Sequence, residues 1–265
     1  SYIVDLFDWH LMVSESADWL TGNAQWAFKD FGTPLRPENS IPYINQKGLV
    51  DREGKPKDAY YVYKSYWTTD PSFCYIESHT WTERFGKVDE IKQISVFSNC
   101  EEVELIHNGK SLGRRARNIQ DYPAAGLHWD VVFQEGKNDL VAQGYVDDKL
   151  ITEDNHSVRY IIGKPGNPHD IKLSSQNLPS GNILVRASVV DKEGELCPDY
   201  NKRVYFDING PGALLKYQGT PTGSDVIEFA SGKAAIEFIP GENGLTTIEA
   251  RTQDFKGSYL RIQTP

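Results

Sequence analysis

After residue 70 the chain takes on a repeating texture: short runs of alternating apolar and polar residues, each closed by a turn. This narrows its folding options more than anything else in the sequence. Ile91–Ser98, Val103–His107, Lys110–Arg114, Leu127–Phe133 and Asp139–Val146 are such runs, and Asn108-Gly109 joins the second to the third. Alternation of period two gives a strand one buried face. Asn-Gly is the strongest short hairpin signal, because both residues accept the positive φ of a type I′ turn. Gly163-Lys164-Pro165-Gly166-Asn167-Pro168 interrupts the pattern as a linker. The texture then resumes. Ile183, Val185, Ala187 and Val189 share a face, and Thr246–Arg251 and Ser258–Gln263 are further runs. Ile227 and Phe229 are expected to pair across Ser231-Gly232 with Ala234, Ile236 and Phe238. Strands spaced by about 8–12 residues predict two β-sandwiches, each with its own core and each able to fold without the residues before Asp70.

The first 68 residues read differently, and four of the six tryptophans (Trp9, Trp19, Trp26, Trp67) lie there. Ile3, Leu6, Phe7, His10, Leu11 and Val13 approach the spacing of an amphipathic helix buried along that stripe. Ala24–Phe28 is a short, mostly apolar run of the kind that fills a parallel strand covered on both faces. A long Pro- and Gly-punctuated loop spans 29–56, and loops of that length tend to be functional. Lys57–Trp67 reads as a helix with an aromatic face. One helix and one buried strand cannot form a core alone, so this piece needs partners. The predicted domains are 1–68, 69–163 and 164–265.

Composition excludes several classes. Hydrophobic residues at 39% and charged residues at 25% suit a core-forming protein. A net charge of −9 argues against nucleic acid, which needs a basic footprint. Arg114, Arg115 and Arg117 read as a solvated strand edge. No stretch approaches the roughly 20 apolar residues of a membrane span. Cys74, Cys100 and Cys197 have neither metal-ligand nor disulfide-framework spacing and read as buried thiols. The histidines are scattered; His79 and His128 read as satisfied strand residues, and no metal or cofactor is expected. The opening Ser1–Phe7 reads as mid-domain sequence, so the lack of a leader carries no information about compartment.

Four blocks then occur in order within the first 67 residues: Gly22-Asn23-Ala24-Gln25-Trp26-Ala27-Phe28-Lys29-Asp30-Phe31-Gly32, Tyr43–Asp51 with Asn45-Gln46-Lys47-Gly48, Lys55-Pro56-Lys57-Asp58-Ala59-Tyr60-Tyr61, and the closing Tyr66-Trp67. Together they resemble the end of the catalytic barrel of glycoside hydrolase family 2, with its Trp-x-Phe-x-Asp-Phe eighth strand, its Asn-x-Lys-Gly loop and its Pro-Lys-x-Ala-Tyr helix. Ser78-His79-Thr80-Trp81, the hairpin around Asn108-Gly109 and the loop Gln218–Ser224 are similar to the C-terminal sandwiches of bacterial members. The resemblance implies a mainly β chain: two immunoglobulin-like β-sandwich domains preceded by the last helix-strand-loop-helix segment of a (β/α)8 barrel. It implies a retaining exo-β-glycosidase, with β-galactosidase as the first reading and a β-glucuronidase-like uronidase as the alternative. A non-catalytic carbohydrate-binding or scaffold module is the reading from another class.

Retaining glycosidases use two carboxyl groups about 5–5.5 Å apart. By the resemblance both are glutamates on strands upstream of Ser1, so none is expected here, and Glu15 reads as a surface residue. The chain would supply a wall of the sugar site. Trp26 is the candidate sugar platform, with a packing tryptophan as the other reading. Asp30 would orient a hydroxyl or cap the loop. Asn45 and Lys47 match the pair that grips the sugar carboxylate in uronic-acid-specific members, although similar loops occur in β-galactosidase-like ones. The implied partners are a carbohydrate substrate and the rest of the catalytic domain, with a homo-oligomer left open. The implied compartment is periplasmic or extracellular.

Overall fold

The computed structural model describes residues 2–33, 44–164, 166–216 and 225–264. The Gln218–Ser224 loop therefore lies outside the described residues, apart from which two compact units are found. One comprises the chain up to Lys29 together with Lys47–Lys164, and the other comprises Asp30–Gln46 with Pro165 onward.

In the first unit two helices, Tyr2–Glu15 and Asp58–Trp67, precede a β-sandwich. Its larger sheet has the order Glu83–Gly86, Lys149–Ile162, Gly136–Val146, Glu102–His107, Lys110–Ala116. The first two of these strands are parallel and the rest antiparallel. The smaller sheet is Cys74–Ile76, Ile91–Ser98, His128–Val132. The period-two pattern sends Leu140, Ala142, Val158 and Tyr160 from one sheet against Ile94, Val96, Trp129 and Val131 from the other, and all are fully or almost fully buried. Asn108 and Gly109 both take positive φ, 48° and 78°, and register His107 opposite Lys110. Gly144 is required by close approach. A Cβ there would lie 2.6 Å from the Cys100 sulfur and 2.7 Å from that of Cys74, both free thiols.

The helices are not a separate piece. Val4, Leu11, Leu49, Ala59, Val62 and Tyr63 belong to the same buried cluster as Phe73, Val96, Leu127 and Trp129. The buried cluster of the first sandwich thus includes side chains from before Asp70. The buried stripe of the first helix is Val4, Asp8 and Leu11, whereas Ile3 and Val13 are exposed. The helix is apolar nearly all round, so composition does not single out one face; the sandwich covers the face that carries Asp8. That carboxylate is met by the Ala124 N–H at 2.5 Å and the Tyr66 hydroxyl at 3.2 Å. Tyr61 stacks on Tyr75 with ring centroids 3.6 Å apart, and Asp58 accepts hydrogen bonds from the Tyr75 and Ser78 hydroxyls. These contacts tie the second helix to the sandwich.

The second unit pairs Asp170–Asn177, Ile183–Val190, Lys233–Pro240 and Gly212–Leu214 in one sheet, and Val226–Glu228, Arg203–Asn209, Gly244–Arg251 and Ser258–Thr264 in the other. Val185, Ala187, Val189, Ile236 and Phe238 meet Val204, Phe206, Ile248 and Ala250 in its core. The hairpin expected across Ser231-Gly232 is only half formed. The turn exists, with positive φ at both residues and an Ala230–Lys233 bridge. Val226–Glu228, however, pairs with Arg203–Tyr205, while Lys233–Pro240 pairs with Ile183–Ser188 in the other sheet. Alternation buries Ile227, Phe229, Ala234, Ile236 and Phe238 in one core whichever strand lies alongside, so it does not choose the partner.

Three further readings are corrected. Ala24–Phe28 is not a strand, and Trp26 is 76% and Phe28 62% exposed. A parallel strand needs hydrogen-bonded neighbours on both sides, and the sole ladder contact here among the described residues is Lys29 with Val50. His79 lies in a turn, where its Nε2 is 2.8 Å from Asp154 Oδ2. Arg114 and Arg115 are on the expected exposed edge, but Arg117 turns inward to donate to the Ser65 carbonyl.

Candidate functional site

The loop after the first helix is held through its backbone. Leu49 N–H donates to Ala27 O at 3.2 Å and Val50 N–H to Phe28 O at 2.9 Å. On the other side Lys57 N–H donates to Leu49 O at 2.9 Å, next to the start of the second helix. Gly48, Leu49 and Val50 are buried between these contacts, whereas Lys47 is exposed. The Tyr63 hydroxyl donates to Gln25 Oε1 at 3.2 Å, and Gln25 Nε2 donates to Trp26 O at 2.9 Å. The Trp26 carbonyl is thus hydrogen-bonded, while most of the residue is exposed. Parallel pairing puts it on a segment that runs beside the one carrying Lys47.

In the other unit, Phe31–Gly32 and Ile44–Asn45 form a two-stranded antiparallel ladder with Phe31 opposite Asn45. Asp30, which leads into that ladder, is buried, and Asn45 is half-buried. The four candidate residues therefore fall into two pairs: Trp26 and Lys47 on segments bridged at Lys29 and Val50, and Asp30 and Asn45 at the two-stranded ladder. Glu15 ends the first helix and is exposed.

An arrangement that sequence reasoning did not assemble lies at the edge of the first sandwich. Arg84 is 6% exposed and sits beneath Trp81, its guanidinium carbon 4.9 Å from the ring centroid. The sequence signal was Ser78-His79-Thr80-Trp81; the arginine three residues on carries no pattern that announces burial.

The segment 89–152, within the first sandwich, matches a family model described as "Domain of unknown function (DUF4982)". A Formosa agariphila protein named "Putative beta-glucuronidase" is 55% identical over 264 residues, 99% of this chain and 32% of its own length. The beta-galactosidase BoGH2A of Bacteroides ovatus is 30% identical over 92% of this chain and 28% of its own. The crystal structure of Parabacteroides merdae beta-glucuronidase superposes with a TM-score of 0.83 at 40% identity, over 100% of this chain and 33% of that one. The chain belongs to glycoside hydrolase family 2. It spans about a third of the length of these relatives and corresponds to their C-terminal portion. Its two-sheet sandwiches are those of this family.

Proposed function

We propose that the complete protein is a retaining exo-β-glucuronidase and that this chain supplies part of the wall that holds the sugar. The observation that carries the reading is Asn45-Gln46-Lys47, with Lys47 exposed on a loop whose following residues are buried and hydrogen-bonded on both sides. An amide and an ammonium suit a uronate, since a charge-assisted hydrogen bond to a carboxylate is roughly twice as strong as a neutral one. The β-galactosidase reading put first by the motifs gives way to this one. The relative at 55% identity and the solved structure at 40% bear glucuronidase names, and the β-galactosidase stands at 30%. Trp26 serves as the platform for the apolar face of the ring, and Asp30 and Asn45 orient hydroxyl and carboxylate groups. Both catalytic glutamates belong to the remainder of the catalytic domain.

The test uses the complete enzyme with aryl β-glucuronide and aryl β-galactoside. Lys47→Ala is expected to lower kcat/KM for the glucuronide roughly ten- to hundredfold, the scale of one lost ionic hydrogen bond, with no comparable loss for the galactoside. Trp26→Ala is expected to lower kcat/KM for both while shifting stability by less than about 0.5 kcal/mol, as a side chain that meets substrate rather than core would. Equal losses on both substrates for Lys47→Ala would overturn the uronate assignment. A destabilised Trp26→Ala would make that residue a packing tryptophan.

A further inference from the structure

Beside the edge strand Glu83–Gly86, the turn that carries Trp81 opens a cavity of about 340 Å³, at the lower end of the range for small-molecule sites. Asp5, Glu77, Trp81, Arg84, Gln93 and Tyr122 are among the residues that line it. Its construction is unusual in one respect. A lone exposed aromatic is ordinary on a protein surface, but this one rests on a buried cation. Arg84 donates from Nη2 to the Glu77 carbonyl at 3.1 Å and from Nε to the Trp81 carbonyl at 3.4 Å. Taking a guanidinium out of water is costly, and burial pulls the Arg84 pKa down. The result is an indole held in place from below that still leaves 58% of the residue open to solvent.

A preorganised aromatic face beside convergent donors and acceptors is what a pyranose needs. Its C–H face lies on the ring, and its hydroxyls bond carboxylates, amides and guanidinium in the plane around it. Two carboxylates, Asp5 and Glu77, outnumber the one guanidinium, so the local charge disfavours an anion. We propose that this cavity binds a neutral β-linked hexose disaccharide, with Trp81 as the stacking platform, Asp5 and Glu77 accepting from hydroxyls, and Arg84 and Gln93 donating to them. The site uses none of Trp26, Asp30, Asn45 or Lys47, and it stands whether or not the glucuronidase reading does.

The test follows the six tryptophan indole N–H signals of the 265-residue chain by NMR during titration with lactose, cellobiose and sodium glucuronate, with Trp81 assigned from Trp81→Phe. One or both disaccharides are expected to shift the Trp81 signal with a dissociation constant on the order of millimolar, and glucuronate to bind more weakly. Trp81→Ala and Gln93→Ala, both at exposed positions, are expected to keep the thermal midpoint and to weaken binding, by about tenfold or more for Trp81→Ala. Three results would overturn the proposal: no Trp81 shift with either disaccharide, tighter binding of glucuronate than of both disaccharides, or unchanged affinity in folded Trp81→Ala and Gln93→Ala.

Discussion

Asp8 concentrates the chemistry of the first unit into one side chain. It is 1% exposed, sits among Val4, Leu11 and the sandwich core, and burial is the main force pushing its carboxyl up to about 6. The Ala124 N–H and Tyr66 hydroxyl bonds pull the other way, and the nearby Glu77 and Asp5 charges add to the rise. A raised carboxyl favours the folded state while it is protonated. The stability it contributes is therefore present below about pH 4, is lost as pH climbs to about 6, and is absent above. Asp8→Asn keeps an acceptor for Ala124 and cannot ionise. The stability of Asp8→Asn minus that of the native chain, measured by urea unfolding, is expected to rise by on the order of 2–3 kcal/mol between pH 4 and pH 7. A difference that stays flat across that window would show that the carboxyl does not titrate as its burial requires.

At the scale of elements, local chemistry was legible and partnership was not. Asn108-Gly109 specifies its hairpin because the turn needs two positive φ values and these residues tolerate both. Ser231-Gly232 makes a similar turn, yet the flanking strands leave for different sheets. The strand Lys149–Ile162 escaped notice because its first half is exposed and charged on both faces; only His156, Val158 and Tyr160 show the alternation. The helices carry the heaviest consequence. Val4, Leu11, Leu49, Ala59, Val62 and Tyr63 all enter the sandwich cluster. At about 1.5–3 kcal/mol for each large side chain, their loss rivals the whole stability of a domain, roughly 5–15 kcal/mol. A chain that starts at Asp70 is expected to lose its near-ultraviolet circular dichroism, bind a hydrophobic dye and show no sharp thermal transition in the first sandwich. A cooperative transition matching that of the full chain would mean that the helices merely lean on a finished core.

At the scale of the whole chain there are two cores among the described residues. The second, built around Val185, Phe206, Phe238 and Ile248, draws its buried members, among the described residues, from positions after Pro165. We propose that this part is an independent domain, as the Gly163–Pro168 linker suggests. A polypeptide from Pro165 to Pro265 is expected to unfold cooperatively in urea with a dispersed NMR spectrum. A collapsed product with poorly dispersed signals would mean that Asp30–Gln46, which clusters with it, is needed to complete it.

The sequence by itself determined what is encoded within a few residues of each position: the helices Tyr2–Glu15 and Asp58–Trp67, most of the strands with their inward faces, and the tight turn at Asn108-Gly109. It also carried the Trp26-to-Asp30 and Asn45-to-Lys47 motifs that led to the family. Period, turn chemistry and motif are local properties, and they survive whatever surrounds them. Tertiary structure decided which face of the first helix is buried, which sheet each strand joins and that the run at Ala24–Phe28 stays open. It alone brought Arg84 under Trp81. The first three depend on a neighbour distant in sequence, and Arg84, only three residues from Trp81, is also held against the distant Phe133 ring. An apolar stripe, an alternating strand or an arginine is compatible with several neighbours, and the energy that selects one appears only when the surfaces meet.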